Sequence, residues 1–120
     1  MERTDRISSE LQKVVSGIIR NEVKDPRIPL MTSVVSANVT KDLKYAKVYI
    51  SILGDADTKK EAMKALKNSA GFIRRQVASE MDLRIVPELI FILDESIEKG
   101  AHISSLIDAA IKEDEEKGHV

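Results

Sequence analysis

Between Tyr45 and Ile52 the side chains alternate without a break, with Ala46, Val48, Ile50 and Ile52 on one parity and Tyr45, Lys47, Tyr49 and Ser51 on the other. A period of two suits a strand with one buried and one open face, and it cannot be laid along one face of a helix. The chain therefore has to contain a sheet that is covered on one side only. Just upstream, Val35, Ala37 and Val39 alternate with Ser36 and Asn38, and Thr40-Lys41-Asp42 supplies a turn, so the two runs are expected to pair as antiparallel strands. The cover has to come from segments with a helical period.

Three such segments surround the hairpin. Ile7, Leu11, Val14, Val15, Ile18, Ile19 and Val23 share one helical face, with Thr4 or Asp5 placed to cap it and Lys24-Asp25-Pro26-Arg27-Ile28-Pro29 placed to end it. Gly54-Asp55-Ala56-Asp57-Thr58 closes the hairpin and caps a second helix, from about Thr58 to Asn68. There Ala62 and Leu66 turn inward while Lys60, Lys64 and Lys67 recur as one charged stripe. A third helix, from about Phe72 to Met81, sets Ile73, Val77 and Met81 against the core, leaving Arg75 pointing away and Arg74 at the border. Ser69-Ala70-Gly71 interrupts the two, and Gly71 is expected to stop the first of them in a left-handed conformation.

Leu83 to Leu93 is apolar and rich in branched residues, which predicts a third strand; Pro87-Glu88 inside it calls for a sheet edge or a bulge. Glu88, set among apolar neighbours, is expected to be paired with a backbone or basic group. A last helix is predicted from near Asp94 to Ser96, with Ile103, Leu106, Ile107, Ala110 and Ile111 as its face. A helix pair linking strands of one sheet favours a right-handed crossover, so the third strand should run parallel to one of the first two. The expected fold is an α+β two-layer sandwich, with residues 1–112 as a single domain and 113–120 as an acidic tail.

Composition narrows the functions open to such a domain. Among 120 residues there is no Cys, which removes disulfides, thiolate chemistry and sulfur-ligated metal and fits a reducing compartment. No signal region follows Met1 and no apolar run approaches membrane length, so a cytoplasmic chain without membrane contact is expected. His102 and His119, Ser8-Ser9 and Ser104-Ser105 lack the partners that a base, ligand or nucleophile needs, so we expect no enzyme activity, metal, cofactor or small-molecule substrate. The formal charge of −1 conceals a basic middle: Lys59, Lys60, Lys64, Lys67, Arg74, Arg75 and Arg84 stand against Glu61, Glu80 and Asp82. Residues 108 to 120 are acidic, and both a solubilising terminus and a guard against indiscriminate polyanion binding fit them.

The Lys60, Lys64, Lys67 stripe and Arg74 with Arg75 across a small-residue junction make a candidate phosphate-facing surface, to which Lys41, Lys44 and Arg84 are candidate additions. A solvated amphipathic helix pair fits the same residues. Arg84 is open to either a phosphate contact or an internal ion pair. Asp25-Pro26-Arg27 reads either as a presented arginine or as a loop whose Asp25 bonds nearby amides. With two Tyr, two Phe and no Trp, stacking on bases is expected to be weak, so recognition would follow RNA shape more than short sequence motifs.

The order of the first six elements is that of a type II KH domain, an RNA-binding fold. Beyond this, the chain resembles the ribosome-binding factor A family over nearly its whole length. The resemblance is carried by Glu22-Val23-Lys24-Asp25-Pro26-Arg27, Asp42-Leu43, Ala46-Lys47-Val48-Tyr49, Gly71-Phe72-Ile73-Arg74 and Leu83-Arg84-Ile85-Val86-Pro87-Glu88-Leu89 with Phe91 and Asp94. It implies a KH-like domain (α-β-β-α-α-β, with an extra C-terminal helix) whose GxxG loop is replaced by a kink of Ala, any residue and Gly; here Ser69 stands first, before Ala70 and Gly71. It further implies a noncatalytic, monomeric bacterial assembly factor binding the immature 30S subunit and its 16S rRNA late in maturation and rRNA processing, often important in the cold. A small α+β ligand-binding or protein-interaction domain is the alternative.

Overall fold

The computed structural model of the chain describes residues 3–96. Helix α1 (Arg3–Asn21) buries Ile7, Leu11, Val15, Ile18 and Ile19, the stripe that its spacing requires. Thr4 and Asp5 lie inside its first turn and not before it; Asp5 is placed where a negative charge complements the helix dipole. The helix stops at Asn21, where the Ile18 carbonyl accepts from the amides of both Glu22 and Val23, two residues before Val23, the last apolar residue of the expected face, and ahead of the prolines. Val23 still packs against the core, but from the loop.

Strands β1 (Ser33–Val39) and β2 (Tyr45–Ser51) form the expected antiparallel hairpin. Its turn is held by Asp42, whose carboxylate accepts from the Thr40 hydroxyl at 2.7 Å and the Lys44 amide at 3.1 Å. Leu43 takes a positive φ of 63° there. A non-glycine residue in that region carries a steric cost, which packing of the Leu43 side chain against the core offsets.

The register skips between Val34 and Ser36, so Val35 is the extra residue of a β-bulge. Consequently Val34, and not Val35, packs against the core. Two side chains of α1 take up polar groups of β1 that β2 leaves unpaired. The Val39 amide donates to Ser8 Oγ at 2.9 Å, and Gln12 Nε2 donates to the Val35 carbonyl at 3.0 Å.

Helix α2 (Ala56–Asn68) starts on Asp55, whose carboxylate accepts from the Thr58 amide at 2.8 Å. Gly54 before it has φ +150°, and a Cβ there would come within 2.7 Å of the Thr58 methyl, so only glycine fits this entry. Helix α3 (Ala70–Glu80) follows after one residue. Strand β3 (Glu88–Leu93) then joins the sheet parallel to β2, giving the order β1-β2-β3. The predicted strand was too long: Leu83 to Pro87 is loop, since Pro87 can donate no ladder bond, and pairing begins with the Glu88 amide on the Lys44 carbonyl at 2.8 Å. The Glu88 side chain is exposed rather than buried and paired, because it falls on the uncovered parity of β3.

All three helices lie on one face of the sheet. Leu11, Val15 and Ile18 meet Val48, Ile50 and Ile52, with Leu66, Ile73 and Val77 completing the layer. This is the type II KH-like arrangement of an α+β sandwich. The predicted last helix beyond Ser96, its Ile103 to Ile111 face, His102, His119 and the 113–120 tail lie outside the described residues.

Candidate nucleic-acid interface

Helical spacing decides which side of α2 each lysine takes. Ala62, Ala65 and Leu66 are fully buried, so Lys60, Lys64 and Lys67 are forced to the surface, and all three are exposed. Glu61 and Asp57 point to the other flank, where they line a shallow hollow with Pro26, Arg27 and Pro29. Lys60 instead borders a hollow with Leu93 and Glu95, beyond the end of β3. Lys60 thus lies toward the third strand, and Asp57 and Glu61, each three residues before a lysine of the stripe, border the stripe on its other side.

Lys59, counted with the basic middle but not with the candidate surface, is buried. Its Nζ sits 3.3 Å from Glu95 Oε2, the pair having most of its lysine side chain out of water. The signal was present in the spacing, because Lys59 falls three, four and seven residues before Ala62, Met63 and Leu66. Only Glu95, beyond β3, was invisible as a partner.

The junction departs from expectation in one respect. Gly71 does not end α2 in a left-handed turn; it is the second residue of α3, and its φ lies outside the positive range. The break is Ser69 alone, with φ −90° and ψ 0°, which serves as C-cap of α2 and N-cap of α3. Its amide donates to the Ala65 carbonyl at 3.0 Å, and its carbonyl accepts from the Ile73 amide at 2.9 Å. One residue in this bridge region is enough to turn the axis, so no glycine is needed. Ser69 makes no side-chain cap bond, which leaves the leading amides of α3 without a side-chain acceptor.

A Cβ on Gly71 would meet nothing within 4 Å. Gly71→Ala is therefore expected to be neutral or to stabilise the fold by about 0.4–1 kcal/mol, through loss of unfolded-state freedom. A thermal melt checks this, and a drop in midpoint would contradict the conformation described.

Arg74 and Arg75 are both exposed and line one hollow with Gly71, Ala78 and Val86. Arg74 is partly committed: its Nη2 donates to the Val86 carbonyl at 2.8 Å, tying α3 to the loop before β3. A guanidinium has five N–H donors, so others stay available. Lys60 thus stands near the finish of β3 and Arg74 near its start. Lys41 and Lys44 are exposed at the β1–β2 turn, and Arg84 is exposed in the loop that Arg74 anchors. Among the described residues none of Lys41, Lys44, Lys60, Lys64, Lys67, Arg74, Arg75 and Arg84 forms an ion pair.

The loop after α1 adjoins the junction, since Glu22, Val23, Lys24 and Asp25 line a hollow with Ser69 and Phe72. Within it Asp25 Oδ1 accepts from the Arg27 amide at 3.0 Å and from Arg27 Nε at 3.1 Å, while Oδ2 accepts from Nη2 at 2.8 Å. These bonds, the side-chain one foremost, lower the Asp25 carboxyl from 3.8 to about 2. Because its folded value is depressed, the clasp should be intact above the ordinary carboxylate range and open as pH falls through about 2. The Arg27 Nε–H resonance, followed by NMR across that acid window, should lose its shift there and nowhere between pH 4 and 7.

Comparison with known proteins bears on the family and the fold. The family model for ribosome-binding factor A matches residues 3–107. A ribosome-binding factor A from Clostridium botulinum (strain Hall) is 53% identical over 113 residues, spanning 94% of this chain and 93% of that protein. The solution structure of a putative ribosome binding factor A from Thermotoga maritima is 31% identical with a TM-score of 0.68, covering 75% of this chain and 85% of that one. The Thermus thermophilus factor, a homology model fitted into a cryo-EM map of a 30S complex, has a TM-score of 0.62 at 19% identity, covering 73% and 91%. Match length, identity and fold converge, and the chain belongs to the ribosome-binding factor A family.

Proposed function

We propose that this protein is a noncatalytic, cytoplasmic assembly factor that binds the immature 30S subunit as a monomer, through 16S rRNA, and supports late maturation and rRNA processing. The observation that carries the reading is the helix junction. In the position of a KH domain's phosphate-binding loop, Ser69-Ala70-Gly71 is flanked by exposed cations that no ion pair engages among the described residues. A related factor from Thermus thermophilus has been fitted into a 30S complex, which supports the choice of partner.

The RNA-binding set is Lys60, Lys64, Lys67, Arg74 and Arg75, with Lys41, Lys44 and Arg84 beside it. A surface of this kind attracts the phosphate backbone with little sequence preference, and the scarcity of exposed aromatic rings fits recognition of subunit shape. The test is sedimentation with small subunits from growing cells over a range of salt. If about four phosphates are contacted, the logarithm of affinity should fall against the logarithm of salt with a slope of roughly −3 to −4. Absence of binding at low salt, or binding indifferent to salt, would favour instead a ligand-binding or protein-interaction domain whose charges serve solubility.

A further inference from the structure

The loop between α1 and β1 shows a large apolar surface to water. Residues 25–32 form two successive turns, closed by the Ile28 amide on the Asp25 carbonyl at 3.0 Å and the Thr32 amide on the Pro29 carbonyl at 3.1 Å. The corners of such turns ordinarily hold Gly, Asn, Asp or Ser. The second turn has Leu30 and Met31 there instead; Leu30 is fully exposed and Met31 is 68% exposed. The loop is anchored at its first turn, since Ile28 packs against the core and the Asp25–Arg27 clasp lies within it. Two large apolar side chains are therefore held out at fixed places, which removes part of the ordering cost that a partner would otherwise meet.

Leu30 also walls a hollow of about 490 Å³ that Ile19, Val23, Ile28 and Pro29 line with it. That volume lies in the range of sites that take a bulky group. Arg20 and Lys24 border the same hollow, exposed and outside any ion pair among the described residues. Asp25, the carboxylate that shares it, is already committed to Arg27. Asp57 and Glu61 line a different hollow, with Pro26 and Pro29, and Glu22 lines the one beside Ser69. Thr32 completes the lining, and its hydroxyl oxygen is buried without a hydrogen-bond partner among the described residues. An apolar hollow with two uncommitted cations and an unsatisfied hydroxyl is complementary to a group that is apolar and negative at once.

We propose that this hollow, with Leu30 and Met31 at its rim, is the docking site for an acidic segment of a partner protein, in which a branched or aromatic side chain enters beside Val23 and Ile28 while a neighbouring carboxylate meets Arg20 and Lys24. Other occupants fit less well. RNA would bring phosphates to the two cations, but none of the lining residues is aromatic, so no base could stack there, and Leu30 and Met31 would lie against polar backbone. A second copy joined about a two-fold axis would offer Arg20 and Lys24 their own like charges. The inference stands apart from the RNA-facing set, none of whose residues lines this hollow.

The full chain tests this as bait for a display library of random short peptides. Selected peptides should share a Leu, Ile, Phe or Trp close to an Asp or Glu. A synthetic copy of the commonest one should move the amide resonances of Ile28, Leu30 and Met31, leave those of Lys60 to Lys67 in place, and bind the double variant Leu30→Ser with Met31→Ser about tenfold more weakly. Both side chains are exposed, so that variant should melt like the parent. Arg20→Glu with Lys24→Glu should reject the acidic peptides and select basic ones with the same apolar residue, a reversal that loss of packing alone cannot produce. Selection of the same peptides by the parent and both variants, or no selection at all, would overturn the proposal. So would shifts at Leu30 and Met31 that follow the protein's own concentration, which would assign the hollow to a second copy, or shifts there on adding 16S rRNA, which would assign it to RNA.

Discussion

Replacing Lys60, Lys64, Lys67 and Arg75 together by Ala should nearly abolish the salt dependence of subunit binding. Each phosphate contact contributes about 0.7 to 0.9 to the slope. With about four contacts the parent should lose roughly a hundredfold in affinity between 50 and 200 mM salt. The variant, already weak at 50 mM, should lose little more. All four side chains are exposed and outside any ion pair among the described residues, so each replacement should alter stability by no more than about 0.5 kcal/mol. Removing like charges at Lys60 and Lys64, one helical turn apart, even relieves repulsion. Arg74 is left in place because its bond to Val86 holds the loop before β3, and its loss would mix a structural effect with an electrostatic one. A variant that melts like the parent and keeps the parent's slope would remove this face from the binding site.

Leu66→Ala should have the largest effect on the fold itself. Leu66 has no exposed surface, and it sits one turn before the junction among Ala62, Met63 and Ile73 in the core. Truncation loses the transfer energy of the buried atoms and leaves a cavity, together costing about 2–5 kcal/mol. For a domain of this size that lowers the melting midpoint by roughly 10 °C or more. At a temperature where the variant is still folded, its salt slope for subunits should match the parent's, because no cation has been removed. Thermal melting followed by circular dichroism, with sedimentation in the cold, separates the two effects. A small loss of stability would mean that α2 does not rest on the sheet as described.

Regular periodicity made most of the architecture readable. Ala46, Val48, Ile50 and Ile52 are buried as their alternation requires, and the helical stripes through Leu11, Leu66 and Ile73 lie in the core. The parallel third strand followed from the handedness of crossovers, a property of all such chains. The misreadings arose where a local device broke a period or a rule of thumb. Val35 bulges out, which exchanges its place with Val34. Leu43 takes the left-handed conformation, a role that sequence reasoning reserves for Gly or Asn, while Gly71, the obvious candidate, is helical. Pairs far apart in sequence, such as Lys59 with Glu95 and Arg74 with Val86, have no one-dimensional signature at all. The candidate cations were legible because exposure of Lys60, Lys64 and Lys67 follows from burial of their helical neighbours.

The bonds from Ser8 and Gln12 to β1 bear on how this molecule can associate. They close one border of the sheet by engaging polar backbone groups that an incoming strand would seek, whereas the far border of β3 has no strand partner among the described residues. A building block with two free borders can stack into an endless ribbon; one with a single free border can pair once and then stops. Mispaired copies of this protein should accordingly halt at twofold particles joined through β3.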